Sequence, residues 1–382
     1  MVLRILFQVA GLLPTQKNTI IFESFYGKQF NDNPKALYKY IKEQYPDYKL
    51  YWSFDRRHVH HFQKYDINIL SRFSFKWIVK MARAEYWVTN SRMPLWIPKP
   101  AHTNYVQTWH GTPLKKLGAD IQEVQMPGTN TDTYIKNFLF EANKWDYLIS
   151  PNAYSTEIFS SAFGFDQTFI ESGYPRNDVL YTRNNDTDIT TLKKTLNIDA
   201  DKKVILYAPT WRDNHYYDVG QYKFDLPFDI DALYQALGDD YVILLRMHYL
   251  VRESFDIAAY HPFIQDVSAY PEVSDLYLVA DMLITDYSSV FFDYANLKRP
   301  MIFYCHDIDE YRDHIRGFYF DFENEAPGPI VKTTDELIEA VKEAGSGTRV
   351  PSQALERFYS RFCYLDDGHA SKRVVEHIFS GK

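Results

Sequence analysis

From Lys17 onward, short runs of branched and aromatic residues alternate with longer stretches whose apolar positions recur every three or four residues. The short runs read as strands and the longer periodic stretches as helices with one buried face. In the first half this predicts strands at Thr19 to Ser24, Leu50 to Phe54, Ile67 to Leu70, Tyr86 to Asn90, Tyr105 to Thr108, Tyr147 to Ile149 and Phe169 to Ser172. Asn33 to Gln44, Phe73 to Ala84, Thr131 to Asn143 and Tyr154 to Phe163 carry the helical spacing between them. A second series, Val204 to Ala208, Tyr241 to Met247, Met282 to Thr285 and Met301 to Tyr304, consists of compact apolar runs suited to parallel strands covered on both faces. The alternation predicts an α/β chain, and the polar stretch Thr182 to Thr191 is the natural place to divide it. The expected organisation is one unit over residues 1–181, a Rossmann-like unit over 192–351, and a helical stretch over 352–382.

The first fourteen residues, MVLRILFQVAGLLP, are apolar around Arg4 but fall short of the roughly 20 residues that span a bilayer. With no small-residue cleavage site after them, they predict a helix lying in a membrane interface or packed on the protein. Size and composition sharpen this picture only in part. A chain of 382 residues, 46% of them hydrophobic, has enough apolar matter for two cores. Its net charge of -8, from 42 Lys and Arg against 50 Asp and Glu, argues against a nucleic-acid coat, so an anionic substrate must be met by local cationic groups. Cys305 and Cys363 are too few for a disulfide framework or a zinc cage and fit a reducing cytosol. No GxGxxG follows a predicted strand, which disfavours nicotinamide or flavin chemistry.

Three clusters fall where predicted strands end, the edge at which open α/β sheets bind ligands. In Gln107-Thr-Trp-His-Gly-Thr-Pro-Leu-Lys-Lys-Leu-Gly118, His110 leaves a strand and Gly111 permits close backbone approach, while Thr112 is placed to cap a helix opened by Pro113. His110 is thus a candidate base, with Lys115 and Lys116 further on; a capped helix with a buried histidine is the plainer reading. Arg212 in Ala208-Pro-Thr-Trp-Arg-Asp213 and Arg246 in Arg246-Met-His248 offer forks for a diphosphate, with His248 donating beside them, unless they form structural salt bridges. In Ile284-Thr-Asp-Tyr-Ser-Ser-Val-Phe-Phe-Asp-Tyr294, Ser288 and Ser289 open a helix whose free N–H groups favour an anion, and Asp293 is placed for a ribose or glycerol hydroxyl.

At these residues the chain resembles the CDP-glycerol glycerophosphotransferase family of wall teichoic acid synthesis. The resemblance rests on WHGTPLK at Trp109 to Lys115, SGYPRND at Ser172 to Asp178, APTWRD at Ala208 to Asp213, RMH at Arg246 to His248 and TDYSSVFFD at Thr285 to Asp293, and runs from Glu23 to Val331. It implies a GT-B architecture of two Rossmann-like domains facing a cleft, with a last helix returning to the first domain. It implies donor-binding roles for His110, Gly111, Thr112, Pro113, Leu114, Arg176, Thr210, Arg246, Met247, Ser288, Ser289 and Asp293, which Arg212 joins as a phosphate ligand. The expected reaction has an acceptor hydroxyl attack the phosphorus that bears glycerol, CMP departing and His110 and His248 serving catalysis.

No cofactor is required in this scheme; no compact Asp/Glu pair forces a magnesium site, although Asp286 with Asp293 leaves one open. The expected partners are CDP-glycerol and an undecaprenyl-diphosphate-linked teichoic acid precursor, with the enzyme peripheral on the cytoplasmic face of the cell membrane and no nucleic acid bound. Arg72, Lys76, Lys80 and Arg83, beside Phe73, Phe75, Trp77 and Ile78, suit an anionic bilayer surface, or form an ordinary packed amphipathic helix. CDP-ribitol as donor, a GT-B sugar transferase and a non-catalytic polymer-binding scaffold are the rival readings. The chain length favours a primase or short-chain extender over a polymerase with an extra region.

Overall fold

Seven parallel strands form the first sheet: β1 (Gln16–Glu23), β2 (Lys49–Phe54), β3 (Ile69–Ser71), β4 (Ala84–Thr89), β5 (Asn104–Gln107), β6 (Tyr147–Ser150) and β7 (Thr168–Glu171), in the order β3-β2-β1-β4-β5-β6-β7. The computed structural model describes residues 2–124, 128–210, 216–218, 221–222, 226–247, 257–311, 317–347 and 351–380, the side chains at 216–218, 221–222 and 258 excepted. Successive strand residues point to opposite faces, so β1 sends Ile20 and Phe22 to one core cluster and Ile21 to another. Both faces are therefore apolar, which is why these strands read as unbroken apolar runs.

The second sheet holds β8 (Lys203–Tyr207), β11 (Tyr241–Leu245), β12 (Ile264–Asp266), β13 (Met282–Thr285), β14 (Met301–Tyr304) and β15 (Ile330–Val331), all parallel, in the order β12-β11-β8-β13-β14-β15. β9 (Tyr216–Asp218) and β10 (Gln221–Tyr222) form a separate antiparallel pair. The same alternation places Val204, Leu206, Val242 and Leu244 on one face and Ile205, Tyr207, Ile243 and Leu245 on the other. Each sheet reverses strand order once, between β1 and β4 and between β8 and β13, and the crevices at those switch points bind ligands in such folds. Two Rossmann-like halves facing each other across a cleft constitute the expected GT-B arrangement.

Three local readings differ. The stretch Thr182 to Thr191 is mostly helix: Asp178–Thr182 and Asp186–Thr195 flank Asn185, whose side chain accepts from Asp188 N. Acids in the first turn and Lys193 and Lys194 in the last suit the helix dipole, and Leu192 anchors the segment in the C-terminal core, so its polarity marks a solvated helix face. Pro113 opens no helix; Lys115 pairs with Phe318 in an antiparallel bridge, and Tyr319 N donates to Leu114 O at 2.8 Å. The C-terminal stretch is two helices rather than one. Gln353–Phe362 packs Leu355, Phe358 and Phe362 on the C-terminal half, and Ala370–Phe379 returns to bury Val374, Val375 and Ile378 in the core of the N-terminal half. Phe379 stacks on Tyr48 at 4.6 Å, and Tyr86 donates to the carbonyl of Ile378.

Candidate active site

The two switch points face each other across a cavity of about 310 Å³. Phe25, Asn31, Asp32, His110 and Arg176 line it from the N-terminal half, and Pro209, Arg246, Met247, Glu272, Ser288, Ser289 and Asp293 from the C-terminal half. Asn31 donates to the carbonyl of Pro271 at 3.2 Å and Lys35 pairs with Glu272, so the cleft is bridged at its rim.

His110 follows β5 on a turn in which Trp109 takes a left-handed backbone (φ 50°) and donates its N–H to Gln107 Oε1 at 3.0 Å. The imidazole stacks on Trp109 at 4.5 Å and meets the edge of Phe25 at 5.7 Å. Its Nδ1 lies 2.7 Å from the carbonyl oxygen of Asn90. A carbonyl only accepts, so Nδ1 carries the proton and Nε2 keeps its lone pair. Burial lowers the His110 pKa, against the opposing pull of Asp32 and the Asn90 carbonyl, so the ring is neutral at pH 7. Gly111 sits against the opposite half: a Cβ there would lie 2.9 Å from Ser289 Oγ. Thr112, Pro113 and Leu114 do not line the cavity; Thr112 and Leu114 are buried, and the Pro113 carbonyl accepts from Tyr154. They hold the His110 turn onto the C-terminal half.

Arg176 is the centre of a buried ionic network. Its Nη1 donates to Asp32 Oδ2 and to the His110 carbonyl, both at 2.9 Å, and Nη2 donates to Asp293 at 2.8 and 3.1 Å. Burial opposes the guanidinium charge, but Asp293 and Asp32 outweigh it and raise the pKa. Burial pushes the Asp293 pKa up, and Arg176 and Asn177 draw it part of the way back. Arg246 donates to the carbonyls of Val267 and Tyr270, and Met247 lines the cavity beside it. Thr210 is buried, with its N–H donated to Asp286 Oδ1 at 2.7 Å. Ser289 stands at the N-cap of the short helix Val290–Tyr294, whose last turn carries Asp293. Arg212 and His248 lie outside the described residues.

The family model for CDP-glycerol:poly(glycerophosphate) glycerophosphotransferases matches residues 5–380. The chain belongs to that family. It is 57% identical, over 99% of its length, to the teichoic acid poly(glycerol phosphate) polymerase of Bacillus subtilis strain 168, and spans 50% of that protein. Against the polymerase of Bacillus spizizenii W23 it is 55% identical over 98% of its length and 95% of the relative, and against the teichoic acid glycerol-phosphate transferase of Staphylococcus aureus 51% over 98% and 95%. The ribitol-phosphate polymerase of Bacillus spizizenii is 31% identical over 97% of this chain and 58% of that protein. The solved wall teichoic acid polymerase TagF superimposes with a TM-score of 0.91 at 44% identity, covering 99% of this chain and 93% of that one. A relative of nearly this length is thus named a polymerase, and length does not separate extender from polymerase.

In this member of the family the helix expected at a membrane is Phe75–Arg83, and the four cations at and before it part company. Arg72 is buried, its Nε 3.2 Å from Glu23 Oε2 and Nη1 donating to Tyr26 O, because an arginine inside the fold needs a counter-charge. It cannot face a bilayer. Lys76 is exposed, Lys80 donates to Gln16 and Arg83 to the Pro14 carbonyl. Asp32, Asn90, Asn177 and Glu272 belong to the site and went unread in the sequence. Asp32 carries a signal as an acid just ahead of a predicted helix, and Asn177 lies within SGYPRND; Asn90 and Glu272 owe their places to strands and loops far away in the chain.

Proposed function

We propose that this glycerophosphotransferase moves glycerol phosphate from CDP-glycerol to a lipid-linked teichoic acid precursor and releases CMP, with His110 as general base. The observation that carries the reading is the Nδ1–H···O contact of His110 to Asn90, which leaves a neutral Nε2 lone pair at the cavity. The acceptor hydroxyl gives its proton to Nε2 as its oxygen attacks the phosphorus bearing glycerol, and the bond to the CMP oxygen breaks. Charge builds on the phosphoryl oxygens, and fixed donors stabilise it best when already oriented. Arg246 is anchored on two carbonyls through Nη1, and its Nη2, with no partner among the described residues, serves such an oxygen. The start of the Val290–Tyr294 helix at Ser288 and Ser289 adds backbone donors. Arg212 and His248 join them on their sequence positions.

The pair that left a metal site open is otherwise engaged, Asp286 by the Thr210 N–H and Asp293 by Arg176. Turnover surviving EDTA is therefore the expected outcome, and activity lost to EDTA and restored by magnesium overturns this part. Glycerol is favoured over ribitol because the relatives named for glycerol phosphate above stand at 51–57% identity and the ribitol polymerase at 31%. CMP release is measured with CDP-glycerol and with CDP-ribitol on a lipid-linked disaccharide, products being sized by mass spectrometry. Turnover with ribitol alone refutes the donor, and none with either refutes the transferase reading.

No helix among the described residues is long and apolar enough to cross a membrane. The helix Val2–Gly11 buries Phe7 and Ala10 beside Trp77 and Trp87 and leaves Val2 and Val9 exposed at 70% and 58%, with Leu12 just past its end exposed at 85%. Phe75, 72% exposed, and Lys76 lie on the helix it packs against, so an apolar face with cations beside it meets an anionic cytoplasmic leaflet. Flotation on anionic liposomes should fall when Val2, Val9 and Leu12 are changed together to serine; unchanged flotation discards the membrane reading.

A further inference from the structure

The carboxyl edge of the N-terminal sheet carries cations that the transfer step leaves unused. On one side of the switch point β4 and β5 lead to Asn90 and His110; on the other, β2 and β3 end at Asp55–His58 and at Arg72–Phe73. Arg56 is pinned there by neutral groups, its Nε donating to Arg72 O at 3.2 Å and its Nη2 to Phe73 O at 2.9 Å. No carboxylate pairs with it among the described residues. Arg57, 75% exposed, bonds Asp55 and holds that carboxyl well below the usual range, and Lys64 is exposed with no acidic partner among the described residues. The segment Asp55-Arg-Arg-His-Val-His-His-Phe-Gln-Lys64 thus sets three cations and three histidines against one carboxylate, in a chain whose net charge is -8.

This patch adjoins the base. Asp55 N donates to Gly27 O at 2.8 Å, and a Cβ on Gly27 would meet Asp55 N at 2.7 Å, so the two turns touch without room for a side chain. Two residues before Gly27, Phe25 lies edge-on to His110. On the far side Phe73 leads directly into the helix that exposes Phe75. The patch thus stands between the turn that sets Phe25 against His110 and the helix that exposes Phe75.

A guanidinium fixed on carbonyls without a counter-charge matches the paired oxygens of a phosphodiester. We infer that Arg56, with the exposed Arg57 adding charge beside it, holds the phosphodiester of a glycerol-phosphate unit already present on the acceptor while its terminal hydroxyl meets His110. This rests on the transferase reading above. It makes the chain an extender: an earlier glycerophosphate transfer must supply its acceptor.

The test pairs binding with kinetics. Soluble tri(glycerol phosphate) is titrated calorimetrically into the wild type and the Arg56→Gln/Arg57→Gln variant, with CDP-glycerol titrated into both as a control for folding. CMP release is then measured on lipid-linked disaccharide with and without one glycerol phosphate. The expected result is a loss of oligomer affinity of about tenfold or more, a matching rise in KM for the primed acceptor, a weaker salt dependence and unchanged CDP-glycerol affinity. Equal oligomer affinity in both proteins overturns the inference, as does a wild-type preference for the unprimed acceptor. Loss of anionic liposome binding with oligomer affinity intact also overturns it, by assigning the patch to lipid headgroups. Absence of CMP release from the wild type refutes the transferase reading instead, and the oligomer titration still decides whether the arginines bind phosphodiester.

Discussion

Replacing Arg176 with lysine tests the network that joins the two halves at the base. Arg176 serves three acceptors at once: Asp32, the His110 carbonyl and Asp293. A lysine ammonium lacks the planar fork and reaches one carboxylate, leaving the other buried and unpaired, at roughly 3–5 kcal/mol for a broken buried pair. The sign of the pH dependence follows from Asp293. Its pKa is already raised in the fold by burial and held down in part by Arg176, so losing the fork raises it further. A carboxyl whose folded pKa exceeds its unfolded value loses stability as pH rises between the two, by up to about 1.4 kcal/mol per pH unit. Urea denaturation of Arg176→Lys should therefore show a larger deficit at pH 8 than at pH 4, near the ordinary carboxylate value. CMP release should fall through kcat as well as donor KM, since the His110 turn loses its tie. A variant as stable as the wild type at both pH values, or one whose deficit is larger at pH 4, refutes this account.

Three further outcomes follow from the same geometry. With the His110 pKa lowered by burial, the acid limb of kcat/KM should lie below pH 6.5, and His110→Gln should cost about 10²- to 10⁴-fold in kcat with CDP-glycerol binding retained; a limb above pH 7 contradicts a buried neutral base. Gly111→Ala places a methyl 2.9 Å from Ser289 Oγ, so KM for CDP-glycerol should rise about tenfold or more with little change in melting temperature, and an unaltered KM removes Ser289 from the donor site. Asp366, its pKa raised to about 7 by burial, should make wild-type stability fall by up to about 4 kcal/mol as pH rises from 4 to 7, a slope that Asp366→Asn flattens; equal slopes in the two proteins refute this.

The sheets were legible because both faces of each strand are buried, which writes uninterrupted apolar runs into the chain. β12 and β15 were missed, being edge strands of three and two residues with too little apolar content to register. His110, Arg246, Ser288, Ser289 and Asp293 were found because they follow strand ends, and the structure gathers all five around one cavity. Contacts across the chain were not legible. Arg72 reads as one of four helically spaced surface cations until Glu23 is seen to neutralise it in the interior, and Thr112-Pro113 reads as a helix start until Phe318 pairs with the segment that follows. The resemblance implies a donor-binding role for Arg176, and its Nη1 and Nη2 are already bound to carboxylates and a carbonyl. Local composition cannot convey such a partnership, because Asp32 and Asp293 lie far from it in sequence and on opposite halves of the molecule.

That partnership bears on how the reaction is organised. The base lies on the N-terminal half and the donor-facing groups on the C-terminal half, so turnover depends on their register. Besides the bridges at the rim, two buried ties hold it. Arg176 binds the His110 carbonyl and Asp293 together, and Asp366, between the two C-terminal helices, accepts from Tyr174 and Asn177 on one half and from Asn296 on the other. Asn177 also donates to Asp293, which links the crossover to the active site through one buried amide. Breaking any member leaves a buried charge or donor unsatisfied, so the halves are held in a few discrete arrangements rather than sliding freely. A substitution at Asp366 or Asn296, with no access to substrate, should for this reason change donor KM and kcat together.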